Sequence, residues 1–207
     1  REDSLRRMKK EKIILTDADG VLVDWNTAFD KFMARHGHPR VPETDSEYNI
    51  SIRHNVTTHQ AMEYVKQFNE SVDIATLSPF ADSVEYVRLL SELDFRFVVV
   101  TSISSHPDAK VHRTNNLIDL FGDVFDDIHC IEQGASKAAI LLNWADTGYF
   151  WIEDHMRQAE AGHEAGLKTV LINHPYNYHY KTDLFPTVSY DTPWNEIYNM
   201  VLKEYQI

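Results

Sequence analysis

Short apolar runs alternate along this chain with stretches whose apolar residues recur every three to four positions. The run Lys12–Thr16 reads as a buried strand, Phe95–Val100 as a β-branched strand, and Asp127–Ile131, Tyr149–Ile152 and Lys168–Ile172 as further short strands. Helical stripes cover Trp25–His36, Ser83–Leu93, Ala109–Phe121, Lys137–Trp144 and His155–Ala165, the last closed by Gly166. Thr192 and Pro193 have the chemistry of a helix start and open a final helix to Tyr205. Alternation of this kind predicts an α/β fold, a doubly wound parallel sheet covered by helices on both faces.

One segment breaks the rhythm. Between His36 and Pro79 no strong strand pattern occurs; Gly37, Pro39 and Pro42 open it and a helical pattern follows over 58–68. It is expected to be a small helical cap, residues 37–78, inserted into a core domain made of 12–36 and 79–207. Residues 1–11 carry charges of both signs without an apolar run and are expected to be a solvated leader, not a secretory signal.

Composition narrows the classes of function. The chain has 207 residues, 43% of them hydrophobic, enough for one α/β domain with a core. No apolar stretch approaches the roughly 20 residues that span a bilayer, so no membrane role is expected. The lone cysteine, Cys130, sits in an apolar run and reads as a core residue; a reducing, cytoplasmic setting fits. A formal net charge of −12 argues against a nucleic-acid polymer as partner, though a small anion remains compatible if a metal ion and local cations reverse the field in one pocket. The 11 histidines lack a rigid metal-binding spacing and most read as surface or packing residues; Tyr176, Tyr178 and Tyr180 read as strand-edge packing, with a place on the site rim as the alternative.

In open parallel sheets ligands bind beyond the carboxyl ends of the strands. There the sequence places Asp17-Ala18-Asp19-Gly20 after the first strand, Thr101-Ser102 after the second and Glu153-Asp154 after the fourth, with Lys137 near a helix start. This set suits phosphoryl transfer. Asp17 can attack phosphorus, and Asp19, two residues on, can protonate the leaving oxygen and then activate water. Carboxylates facing a phosphate need a cation, and Mg2+ held by Asp17, Asp154 and the Asp19 carbonyl fits a hard ion's preference for oxygen. Thr101 and the Ser102 amide can bind phosphate oxygens, and Lys137 can neutralise charge. Each motif alone is ordinary loop or cap chemistry; their order relative to the strands is what joins them.

The motifs Ile14-Leu15-Thr16-Asp17-Ala18-Asp19-Gly20-Val21, Val98-Val99-Val100-Thr101-Ser102, Lys137 and Ile152-Glu153-Asp154 resemble those of the haloacid dehalogenase-like superfamily. Asp19 is similar to the second aspartate of its phosphatase branch, which implies catalysis by Asp17, Asp19, Thr101 and Lys137 and metal binding by Asp17, Asp19 and Asp154. Asp17 to Trp25, Ser78-Pro79-Phe80 and the stretch Ile172 to Asn177 look like the 5′(3′)-deoxyribonucleotidases. That likeness implies a small phosphorylated substrate, a nucleoside monophosphate, contacted by Ala18, Ser102 and Trp25. Trp25 would pack on the base, or on the core instead. His155 and Ile103 stand where that family usually has arginine and proline. Phosphoryl transfer on a sugar phosphate and an inactive nucleotide-binding module are the competing expectations.

Overall fold

The computed structural model describes residues 11–207. The charged leader expected over 1–11 lies, all but its last residue, outside the described residues. Six strands form one parallel sheet: β1 (Ile13–Thr16), β2 (Arg96–Ser102), β3 (Phe125–Ile131), β4 (Phe150–Glu153), β5 (Lys168–Asn173) and β6 (Thr187–Ser189), in the order β3-β2-β1-β4-β5-β6. The order reverses beside β1, between β2 and β4, and a crevice opens where the connections on either side leave in opposite directions. The five strands expected from the pattern are present. β6 was not expected; with three residues, of which only Val188 is buried, it is too short to leave a period.

Successive side chains of the strands feed two cores. Ile14, Phe97 and Val99 pack on one face with Phe29 of α1 (Trp25–Arg35), Val87 of α4 (Ser83–Glu92), Leu117 of α5 (Pro107–Phe121) and Trp194 of α8 (Pro193–Tyr205). Leu15, Val98, Val100 and Trp151 pack on the other face with Leu141 of α6 (Ala138–Leu141) and Ala161 of α7 (Met156–Glu164). Burial of each such large side chain contributes about 1.5–3 kcal/mol, so a one-residue slip of β1 would exchange the two cores. The single helix expected over 137–144 is shorter: α6 tightens into a 3-10 turn at Leu142–Trp144, and Asp146 then turns the chain with φ +57°. Cys130 is half-buried and packs on the first core, as expected of it.

Residues 37–78 contain two helices, α2 (Ile50–Arg53) and α3 (Thr58–Glu70), and a 3-10 turn at Val72–Thr76. α3 starts where its sequence dictates: Thr57 and Gln60 form a reciprocal capping box. The two chain passages into and out of this segment pair through an antiparallel bridge between Val23 and Pro79, with Asp24 N donating to Ser78 O at 2.9 Å and Phe80 N to Leu22 O at 2.8 Å. The segment is then tied down on three sides. Arg53 grips Asp30 of α1 at two points, 2.9 and 2.6 Å. Asn69 donates to Ile103 O at 3.1 Å, beyond β2. Asn116 of α5 donates to Leu77 O at 2.9 Å. These bonds set the segment against the carboxyl end of the sheet.

Helix α7 approaches β4 closely enough to leave no room for a side chain at Gly162, where an added Cβ would lie 2.1 Å from Trp151 Cδ1. Trp151 is also fixed, donating from Nε1 to Gln158 O at 3.1 Å. Gly162→Ala gains roughly 1 kcal/mol of helix propensity but forces the indole or the helix to move. The clash wins: we expect a net destabilisation of about 1–3 kcal/mol in urea unfolding. An unchanged midpoint would show that α7 slides freely on β4.

Candidate active site

β1 ends where the chain must leave the sheet. Asp17 N still bonds to Ile152 O at 2.9 Å, continuing the ladder, and the next residues curl into a turn in which Val21, Leu22 and Val23 donate to Ala18 O. Gly20 makes the turn possible. Its φ is +71°, and a Cβ there would meet Asp154 Oδ2 at 2.4 Å and Tyr176 Oη at 3.0 Å. The turn thus brings Asp17 and Asp19 against the end of β4.

Lys137 is the central cation. It is 2% exposed, and its Nζ lies 2.8 Å from Asp17 Oδ1 and 2.8 Å from Glu153 Oε2. Asp17 Oδ1 also accepts from Ala18 N at 2.7 Å, leaving Oδ2 as the less committed oxygen. Both oxygens of Glu153 are engaged, since Oε1 accepts from the amides of Asp154 and His155 at 2.9 and 3.0 Å. Asp154 accepts from the Tyr176 hydroxyl, and its carbonyl accepts from Asn177 Nδ2 at 2.6 Å. Asp17, Glu153 and Asp154 each offer an oxygen within 4.8 Å of the others. With all three ionised against one ammonium, the group carries two negative charges in excess, the charge of one divalent cation.

Asp19 points its carboxylate at α5, where Arg113 Nη2 donates to Oδ1 at 2.6 Å. Burial raises the Asp19 pKa, against the pull of Arg113. Burial and the neighbouring Glu153 push Asp17 up to about 7, and burial with Asp17 alongside pushes Asp154 up to about 6. Burial alone would lower the Lys137 pKa; the carboxylates Asp17 and Glu153 outweigh it and hold the ammonium above the ordinary lysine range. His174, buried behind the turn, is pushed down to about 4 and is neutral, donating from Nε2 to Gly20 O at 2.8 Å.

A cavity of about 490 Å3 opens over this cluster. Asp17, Asp19, Ser102, Lys137 and Asp154 line its floor, and Trp25, Tyr48, Ile50, Val65 and Asn69 its wall, the last four from segment 37–78. Trp25 packs on the core and also borders the cavity. It stacks on Phe29 at 4.5 Å and faces the cavity, held by a bond from Nε1 to Asn69 Oδ1 at 2.9 Å. Thr101 and Ala18 are fully buried and do not line the cavity; the Thr101 hydroxyl has no partner among the described residues. The Ser102 hydroxyl is engaged elsewhere, donating to Glu132 O at 2.9 Å and accepting from Gly134 N at 2.8 Å.

Three contributors have roles that the sequence does not assign. Tyr176, expected at a strand edge, stands in the site against Asp154; Tyr178 and Tyr180 are exposed. Glu153, placed by the sequence at the site beside Asp154 without a role of its own, orients Lys137. Arg113 carries a signal in the sequence: it shares the inward stripe of α5 with Ala109, Asn116 and Leu117, and a charge on a buried stripe needs a partner.

The chain has the fold of the haloacid dehalogenase-superfamily hydrolases. A predicted phosphatase from Clostridium acetobutylicum superposes with a TM-score of 0.66 at 14% identity, covering 93% of this chain and 99% of its own. A HAD-hydrolase of Bacillus subtilis, YfnB, solved bound to magnesium, superposes at 0.59 with 14% identity, covering 93% and 99%. In sequence, an uncharacterized 32.4 kDa protein from the gp30–rIII intergenic region of phage T4 is 27% identical over 129 residues, 60% of this chain and 46% of its own. The chain therefore spans about half the length of that curated relative. No family model matches the chain. Among the described residues no helix is long and apolar enough to cross a membrane.

The raised carboxyl values fix a sign. A carboxyl group that holds its proton more tightly when folded stabilises the fold fully below its unfolded value near 3.8, and this contribution is lost as pH rises through about 6 and 7 for Asp154 and Asp17. Without divalent cations, Asp154→Asn should be more stable than the parent at pH 8, on the order of 1–2 kcal/mol, and the gap should narrow at pH 5 and close only below the unfolded value near 3.8. Urea titrations at the two pH values measure it. A variant less stable than the parent at pH 8 would show that the charged cluster carries no such penalty.

Proposed function

We propose that this chain is a magnesium-dependent phosphomonoester hydrolase that forms an aspartyl phosphate on Asp17 and acts on nucleoside monophosphates. The observation that carries the reading is the buried triad Asp17–Lys137–Glu153 beside Asp154, at the sheet's switch point and on the floor of a cavity. A purely structural cluster would have little reason to set two buried carboxylates and a half-buried third beside one ammonium, because each buried charge without a partner is costly. The hard oxygen donors of Asp17 and Asp154, with the Asp19 carbonyl, suit Mg2+, while Glu153 is occupied in orienting Lys137. Magnesium supplies the positive charge that lets a phosphate approach these carboxylates.

The protein's own groups then divide the work. Asp17 Oδ2, the oxygen not held by Lys137 and Ala18 N, attacks phosphorus, and the ester P–O bond breaks as the leaving alkoxide takes the Asp19 proton. Asp19, now a carboxylate, takes a proton from water as that water attacks phosphorus. The acyl-phosphate P–O bond breaks, releasing phosphate and restoring Asp17. Lys137 stays charged throughout and balances the changing charge on Asp17. The Ser102 amide, at the end of β2 where that residue lines the cavity, is the proposed donor to phosphate oxygens; Thr101, closed off from the cavity, serves only if the strand end shifts to expose its unpartnered hydroxyl.

Residues 37–78 act in this reading as a cap on the core 12–36 and 79–207, keeping water from the acyl phosphate. The nucleotide reading rests on the upper cavity. Trp25, Ile50 and Val65 present an aromatic and apolar surface, with Asn69 between Trp25 and Ile103, where a planar base can lie.

Asp17→Asn is expected to abolish Mg2+-dependent phosphate release from p-nitrophenyl phosphate, and turnover at the parent rate would reject the mechanism. Trp25→Ala should raise KM for nucleoside monophosphates about tenfold while leaving KM for a sugar phosphate within twofold, as expected for loss of one base-stacking contact of roughly 1–3 kcal/mol. Equal changes for both substrates would make Trp25 a packing residue only.

A further inference from the structure

Arg113 is fully buried, and among the described residues its one ion-pair partner is Asp19, at 2.6 Å. Its Nε and Nη1 have no hydrogen-bond partner there. A guanidinium buried with a single bond to one carboxylate is poor value for stability, since a well-packed apolar side chain of similar volume is often as good or better. What the pair does is geometric. Asp19 sits on a tight turn two residues from Asp17, and repulsion between the two carboxylates would drive its side chain outward. Arg113 reaches in from α5 and fixes Oδ1, while nothing among the described residues binds Oδ2. The arginine is itself held by the packing of α5, whose next inward turn carries Asn116, bonded to Leu77 O at the exit of segment 37–78.

We propose that Arg113 is a positioning residue for the acid/base step: it holds the Asp19 carboxyl with Oδ1 committed and Oδ2 turned to the cavity, where the proton is exchanged. This inference rests on the phosphohydrolase reading above. Arg113 touches neither substrate nor phosphorus in it, so its loss should disturb proton transfer and leave substrate binding alone. A displacement of the order of 1 Å in a reacting group can cost about a hundredfold in rate.

Arg113→Met and Arg113→Lys are made in the parent and in Asp19→Asn, and thermal melting confirms folding. Turnover is followed with p-nitrophenyl phosphate, whose leaving group needs little protonation, and with glycerol 2-phosphate, whose alkoxide needs it fully. Arg113→Met should lower kcat about tenfold to a hundredfold with KM within twofold, and more for the alkyl ester than for the aryl ester. Arg113→Lys should recover part of the loss. In Asp19→Asn, Arg113→Met should cost nothing further. An equal loss in both backgrounds, an equal loss on both esters, or an unchanged kcat in a folded Arg113→Met protein would each overturn the inference. If Arg113→Met does not fold, Arg113→Lys decides: a lowered kcat at constant KM supports positioning, and a parental kcat leaves Arg113 structural only and overturns it. Full turnover by Asp19→Asn alone would remove the acid/base reading itself, a failure distinct from the others because it does not involve Arg113.

Discussion

Asp17, Lys137 and Glu153 share the floor of the cavity with almost no access to water, and the rest of the structure answers to that arrangement. A buried ammonium is tolerable only between close carboxylates, and buried carboxylates only beside a cation or a proton. Glu153 therefore spends both oxygens, one on Lys137 and one on the two amides that follow it, and Lys137 spends its charge on two partners. The residual negative charge falls on Asp17 and Asp154. Burial first, and then the neighbouring carboxylate, raises the proton affinity of both groups.

The same constraint explains why so much of the molecule converges on one turn. Gly20 is needed because Asp154 and Tyr176 occupy the space its side chain would fill. His174 is kept neutral by burial so that it can hold the Gly20 carbonyl without adding charge. Asn177 closes the loop after β5 onto Asp154 and Ile172. On the other side Arg113 holds Asp19, and one turn along the same helix Asn116 holds the exit of segment 37–78. The wall of the cavity and its acid/base candidate thus hang on one face of α5.

Much of this was legible beforehand. Five strands and six long helices follow from apolar periodicity, because a strand buried on both faces and a helix buried on one leave different repeats. Asp17, Asp19, Lys137 and Asp154 were picked out because each follows a strand or opens a helix, and the parallel topology brings strand ends together at one edge. β6 left no repeat to read, and Tyr176 lies in a loop whose path no local pattern fixes.

The sequence by itself determined the α/β alternation, the short-range turn Asp17-Ala18-Asp19-Gly20 and the identity of the groups available for chemistry, since these depend on neighbours within a few residues. Tertiary structure alone decided who meets whom: that Lys137 bonds both Asp17 and Glu153, that Arg113 crosses 94 residues of chain to hold Asp19, and that Trp25 stacks on Phe29 while still facing the cavity. Those pairings are long-range, and what selects them is the penalty for burying an unpaired charge, a quantity that exists only once the chain has closed around it.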